Sequence, residues 1–231
     1  MTVSLQIGFV VFPGITQLDM TGPFEVFARV PGADVHLAWK SLAPIRSDTG
    51  LTLTPTITFD MCPGLDVICV PGGPGINALL NDETVLDFVR AKAATARYVT
   101  SVCTGALVLG AAGLLDGYRA ATHWAARDFL EFFGATAVDE RVCIDRNRIT
   151  GGGVTAGIDF GLALAAELTG STNAEMIQLF MEYNPAPPFN AGSPLSAAPE
   201  LVARYRDTMR APLEARRQAV EQAAARRRLT P

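Results

Sequence analysis

The sequence predicts an α/β fold, a doubly wound and mostly parallel sheet with helices on both faces. Three observations lead there. Short, nearly continuous apolar runs ("IGFVVF", "DVICV", "RYVTSV") have the pattern of strands buried on both sides. Helical stretches alternate with them, as in parallel βαβ units. Loops of unusual composition ("PGITQLD", "PGGPG", "CTG") stand at the strand ends, where such sheets collect ligands.

Each element has its own reason. "SLQIGFVVF" (Ser4–Phe12) is a buried strand stopped by Pro13-Gly14. In "TQLDMTGPFEVFARV" the pair Gly22-Pro23 interrupts, so the helix is expected to start near Pro23, with proline in its first turn. "DVHLAW" (Asp34–Trp39) is a second strand, and the Thr-rich "APIRSDTGLTLTPTITF" supplies short edge strands. "LDVICVPGGPG" (Leu65–Gly75) is a buried strand opening into a glycine-proline loop. The helix after it carries Val85, Phe88 and Val89 at helical spacing, with Asp82 as N-cap and Glu83 in the first turn. "RYVTSV" leads to Cys103, and "TGALVLGAAGLL" is a buried helix. "HWAARDFLEFFG" is a helix closed by Gly134. "ERVCID" and "RIT" read as a hairpin around Arg146-Asn147, and "GGGVTAGIDFGLALAAELTG" as a loose turn running into a helix over Val154–Leu168. "STNAEMIQLFMEY" starts on a Ser cap.

The proline-rich 184–198 is expected to run extended over the surface, before a charged helix from about Pro199. With no repeat and no earlier linker, residues 1–198 form a single domain. Residues 199–231 form a helical extension on that domain or on a dimer.

Composition narrows the function. At 231 residues, 49% hydrophobic and 18% charged, the chain can build a sizeable core. A net charge of -4 offers nothing to nucleic acid. Arg216, Arg217, Arg226, Arg227 and Arg228 interleave with Glu214 and Glu221, which reads as the solvated face of a helix. No run approaches the ~20 apolar residues of a membrane span, and no leader pattern precedes the first strand. Cys62, Cys69, Cys103 and Cys143 lack metal-ligand spacing, and His36 and His123 are the only histidines, so no metal site is expected. Reduced thiols fit a cytoplasmic protein.

Cys103 carries the sharpest question. Free cysteine is often simply a small core residue, and that reading suits Cys62, Cys69 and Cys143. Cys103 instead stands at a strand-turn-helix junction, the plan of a nucleophile elbow. Backbone amides and the dipole of the following helix would favour its thiolate near neutral pH. "PGGPG" is either an ordinary tight turn or a loop whose backbone approaches the cysteine. In the second case the amides of Gly73 and Thr104 would hold developing negative charge. Asp19 is a helix cap or an acid shielded beside the thiol, with a raised pKa; Glu25 is its competitor, farther from the strand end. His123 is a base, or with Trp124 a pocket wall. Trp39 and Phe189 are further candidates for pocket or core.

"GFVVFPGITQLDMTGPFEVF", "DVICVPGGPG", "YVTSVCTGALVLGAAGLLDGYRAATHW" and "ITGGGVTAGIDFGLALAAELTG", taken in order, resemble the DJ-1/PfpI superfamily. More closely they resemble its isonitrile hydratase branch, as does "EYNPAPPFNAGSP". The resemblance runs from Ile7 to about Pro194. It implies a flavodoxin-like sandwich, a homodimer, Cys103 as nucleophile, Asp19 as essential acid and a required Thr104. Many superfamily members carry histidine directly after the cysteine, so Thr104 counts against peptidase and glyoxalase-like activities. The implied reaction adds water to an isonitrile and yields an N-substituted formamide through a cysteine thioimidate, with no cofactor. A loose helix start at Gly152 and Val154 is expected to act as a gate. Two other readings are a different thiol chemistry, including redox sensing, and the ligand-sensing domain of an AraC-type regulator. The regulator reading is disfavoured because only one Arg-rich helix follows Pro199.

Overall fold

The apolar runs fold as strands because Val, Ile and Phe gain most where both sheet faces are covered. The computed structural model describes residues 4–229. Its elements begin with β1 (Leu5–Val10), α1 (Gln17–Phe27), β2 (Ala33–Trp39), β3 (Ile45–Arg46), β4 (Thr52–Leu53), β5 (Ile57–Thr58) and β6 (Val67–Val70). There follow α2 (Ile76–Leu79), α3 (Glu83–Ala93), β7 (Tyr98–Val102), α4 (Gly105–Ala111), β8 (Arg119–Ala120), a 3-10 helix (Trp124–Phe133) and β9 (Thr136–Ala137). The chain continues through β10 (Val142–Asp145), β11 (Arg148–Gly151), α5 (Ala156–Thr169), α6 (Ser171–Phe180), α7 (Pro199–Thr208) and α8 (Arg210–Leu229).

The main sheet has seven strands in the order β10-β11-β7-β6-β1-β2-β5. Every neighbouring pair is parallel except β10 with β11, the hairpin around Arg146, whose φ is 54°. The chain leaves β1 towards β2 and β5 on one side, then returns to β6 and β7 on the other. The crevice where ligands collect therefore opens between β1 and β6. One helical layer packs α1 on α5, with Phe27 edge-on to Phe160 at 5.9 Å, and α6 beside α5. The other places α3 and α4 over the sheet, with α2 beside them. On this second layer α8 lies across α2, α4 and the 3-10 helix, burying Val220, Ala223 and Ala224.

Several local expectations are corrected. α1 begins at Gln17, not near Pro23, which stands inside it. Pro23 cannot donate to the Asp19 carbonyl, yet the helix continues because α5 clamps it there. A Cβ on Gly157 or Gly161 would lie only 3.0 or 3.2 Å from Pro23. The long helix starts at Ala156, two residues later than expected. α6 is preceded by Gly170 and gains no cap bond from Ser171, which is already helical. The terminal helix breaks at Met209 into α7 and α8. The arginines of α8 do not form one solvated face. They flank its buried seam, where Arg226 meets Glu83 and Arg227 meets Asp116.

Candidate active site

Four adjacent parallel strands end on the same edge of the sheet, so the topology alone gathers the loops that follow them. β1 leads to Asp19, β6 to Gly72 and Gly73, β7 to Cys103, and β11 to Gly151–Gly153.

Cys103 lies between the end of β7 and the start of α4 with φ 55°, a left-handed conformation that costs a non-glycine residue free energy. The turn is held from both sides. Its N–H donates to the Gly151 carbonyl (3.1 Å), and its own carbonyl accepts from Thr122 Oγ1 (2.7 Å). α4 can start so close to β6 only because residue 105 is glycine; a Cβ there would fall on the Val70 carbonyl. The Thr104 N–H faces the sulfur and favours its ionised form.

Asp19 is completely buried. Its Oδ2 accepts from the Gly72 N–H at 2.9 Å. Its Oδ1 is buried with no conventional hydrogen bond from the described residues, and the Cys103 thiol is the polar side chain that acts on the carboxyl. Gly72 is the hinge of this packing. A Cβ on it would lie 2.6 Å from Thr104 N, 2.7 Å from Thr104 Oγ1 and 2.8 Å from Asp19 Oδ2. Burial lifts the Asp19 pKa to about 7, with Asp48 adding to the rise, while Gly72 and Cys103 oppose it. Burial likewise pushes the Cys103 thiol well above its ordinary value, and the Asp19 charge pushes it further. The thiolate expected at neutral pH is thus corrected. In the free protein the proton stays on sulfur, because desolvation outweighs the Thr104 amide.

The other candidates divide. His123, Trp124, Gly152 and Val154 line one cavity of about 360 Å³, closed on one side by Gly192–Pro194. Thr122, which holds the Cys103 carbonyl, lines it too. His123 Nδ1 accepts from the Ala125 N–H (3.3 Å) at the head of the 3-10 helix, and burial lowers its pKa, so it is neutral. The Gly73 amide is engaged elsewhere than expected: it donates to Thr104 Oγ1 at 3.0 Å and so orients the threonine. Glu25 is exposed and paired with Arg29. Trp39 is half-buried, packing against Phe12 and Phe59 at the margin of the core, and Phe189 is 79% exposed on the proline-rich segment; neither lines this cavity.

Two residues reach the site from the C-terminal helices without having been expected there: Tyr205, and Arg216, which the sequence placed on a solvated face. Tyr205 packs on Trp124 (5.0 Å between ring centroids), and Arg216 is hydrogen-bonded to Asn77 and Gly73. The charges of both groups interact with Cys103. No local signal marks them, since each is one polar residue among many on a charged helix.

Residues 6–167 match the DJ-1/PfpI family. Isonitrile hydratase of Pseudomonas putida is 56% identical over 224 residues, spanning 97% of this chain and 98% of that protein. The HTH-type transcriptional regulator GbdR of Pseudomonas aeruginosa is 34% identical over 167 residues, which are 68% of this chain but 45% of the regulator. A THiJ/PfpI family protein from Pseudomonas syringae superposes with a TM-score of 0.91 at 45% identity, covering 96% of this chain and 90% of that one. Drosophila melanogaster DJ-1beta gives 0.72 at 21% identity, over 78% of this chain and 98% of its own, a likeness of fold. A family match over most of the chain, a near full-length relative and a β7 elbow carrying Cys103 beside Asp19 agree: this chain belongs to the DJ-1/PfpI family, in its isonitrile hydratase branch.

Proposed function

We propose that this protein hydrates isonitriles, adding water to R–N≡C to release an N-substituted formamide. The observation that carries the mechanism is the buried pair: one oxygen of Asp19 without a conventional partner, next to a thiol that holds its proton. An isonitrile carbon needs both a soft nucleophile and a proton. Asp19 near pH 7 can supply both halves in turn. Its carboxylate takes the proton from Cys103 as sulfur bonds to the terminal carbon, then returns that proton to the same carbon. The S–H bond breaks, S–C and C–H bonds form, and the product is a thioimidate, R–N=CH–S. Water adds to its carbon, and collapse expels the Cys103 thiol with the formamide. Thr104 supports the step through its amide at the sulfur, its hydroxyl held by the Gly73 N–H.

The cavity beside His123 and Trp124 is the proposed seat of the substrate, and Gly152 and Val154 form the gate that admits water after attack. Residues 1–198 act as one catalytic domain, and α7 and α8 pack over it. Among the described residues His123 makes no hydrogen bond to Cys103, and its Nδ1 is taken by the Ala125 N–H, which weighs against a thiol peptidase. A thiol that is 5% exposed and keeps its proton is also a poor redox sensor.

The test is incubation with a simple aryl isonitrile and detection of the formamide, with Cys103→Ala and Asp19→Asn alongside. No turnover by the wild type overturns the reading, and turnover surviving Cys103→Ala overturns the mechanism.

A further inference from the structure

Arg216 is placed unlike the other inward-turned arginines of α8. Arg226 and Arg227 each meet a carboxylate, Glu83 and Asp116. The half-buried guanidinium of Arg216 has no carboxylate within ion-pair distance among the described residues. Its Nε donates to Asn77 Oδ1 (3.1 Å) and one terminal nitrogen to the Gly73 carbonyl (3.4 Å). Neutral oxygens compensate a desolvated cation only in part. Its positive charge acts on Cys103 and Tyr205.

The bonds also form a relay of position. Arg216 holds the Gly73 carbonyl, the Gly73 N–H holds Thr104 Oγ1, and Thr104 follows the nucleophile. We infer that Arg216 is a positioning residue for Cys103, pinning the glycine loop through the Gly73 carbonyl and facing the sulfur with the positive charge that a thiolate needs. The inference rests on the hydration reading for its purpose but not for its test. On this view the C-terminal helix is part of the active site: α8 brings the cation that offsets the anionic Asp19, which otherwise keeps the proton on sulfur.

The groups that face the thiol come from every packed element. Asp19 of α1 opposes ionisation, the Thr104 amide at the head of α4 and Arg216 of α8 favour it, and Tyr205 of α7 lies close by. His123 feels Arg216, and Asp48 acts on Asp19.

The experiment follows alkylation of Cys103 by iodoacetamide from pH 6 to 10, mapped by mass spectrometry, with kcat/KM for an aryl isonitrile in parallel. Arg216→Gln keeps a donor for Gly73 but loses the charge, Arg216→Met keeps the stem alone, and Arg216→Lys keeps the charge. The two neutral variants are expected to alkylate about tenfold more slowly at pH 7.5, with profiles displaced to higher pH. Arg216→Lys should stay within about threefold of wild type. Circular dichroism and thermal melts report folding, and a neutral variant that folds suffices. If neither neutral variant folds, a wild-type profile in Arg216→Lys supports the inference and a displaced one overturns it. Wild-type profiles in a folded neutral variant overturn it, as does equal loss in Lys and Gln, which would mark mere packing. Absent isonitrile turnover with a displaced alkylation profile would remove the hydration reading and leave this one standing.

Discussion

Cys69 lies on β6 and Cys103 just past the end of the neighbouring β7, and both are buried, yet only Cys103 is the proposed nucleophile. Cys69 lies inside β6, in register with Thr100 of β7, with its neighbours in the ladder. Burial there pushes its thiol up to about 12, with the Thr100 hydroxyl opposing the rise and the Asp19 charge adding to it. Cys103 is one residue beyond the end of β7, in a left-handed turn. Burial raises its thiol too, but that position turns it towards Asp19, the Thr104 amide and Arg216. Burial alone makes an inert thiol. A strand end, where neighbouring loops can bring an acid and a cation, makes a usable one.

The comparison breaks most directly by deleting each sulfur. Cys103→Ala should lower formamide production by about 10⁴-fold or more. Cys69→Ala should leave kcat/KM within about threefold and cost ~1 kcal/mol in a denaturant melt. Equal losses would erase the distinction.

Removing the acid comes next. Asp19→Asn should lower kcat/KM by about 10²–10⁴ and also change how stability depends on pH. The folded carboxyl titrates near 7 and the unfolded one near 3.8, so the folded state holds the extra proton between them. Stability from this group is therefore lost as pH rises across that window, by ~4 kcal/mol when complete. Urea unfolding at pH 5 and pH 8 should show the wild type weakening over that interval and Asp19→Asn staying flatter. A wild type with no such slope would mean that Asp19 is not held as described.

Gly72→Ala probes the tightness of the loop, since its Cβ must push on Thr104 or Asp19. A loss of about 10–100-fold in kcat/KM is expected. Gly64→Ala, with nothing within 4 Å, should match wild type; identical behaviour of the two would show that the loop has slack. The smallest effect belongs to Gly152→Ala, whose Cβ first meets backbone atoms of Glu140 and Arg141, at 3.4 Å or more. Rapid-mixing kinetics should show thioimidate formation unchanged and its breakdown slowed a few-fold. Both steps unchanged would remove the gate.

Much of this was legible in the chain. Continuous apolar runs announced strands buried on both faces, and their alternation with helices announced the parallel sheet. That order gathers Asp19, the Gly72-Gly73 loop and Cys103, because neighbouring strands end on one edge. The start of α1 was not legible, since local rules stop a helix at Gly22-Pro23 and only the clamp of α5 carries it through.

The sequence by itself put Cys103 and Asp19 forward as the proposed nucleophile and acid, because an elbow and a strand-end loop are local patterns with a regular place in such a sheet. Tertiary structure alone decided their protonation. Whether Cys103 is a thiolate depends on how far water is excluded and which charges lie close, and neither is written in spacing along the chain. It alone decided Arg216 as well. On α8 that residue looks like any solvated arginine, until helix packing 143 positions away from Gly73 turns it to the Gly73 carbonyl and the site behind it.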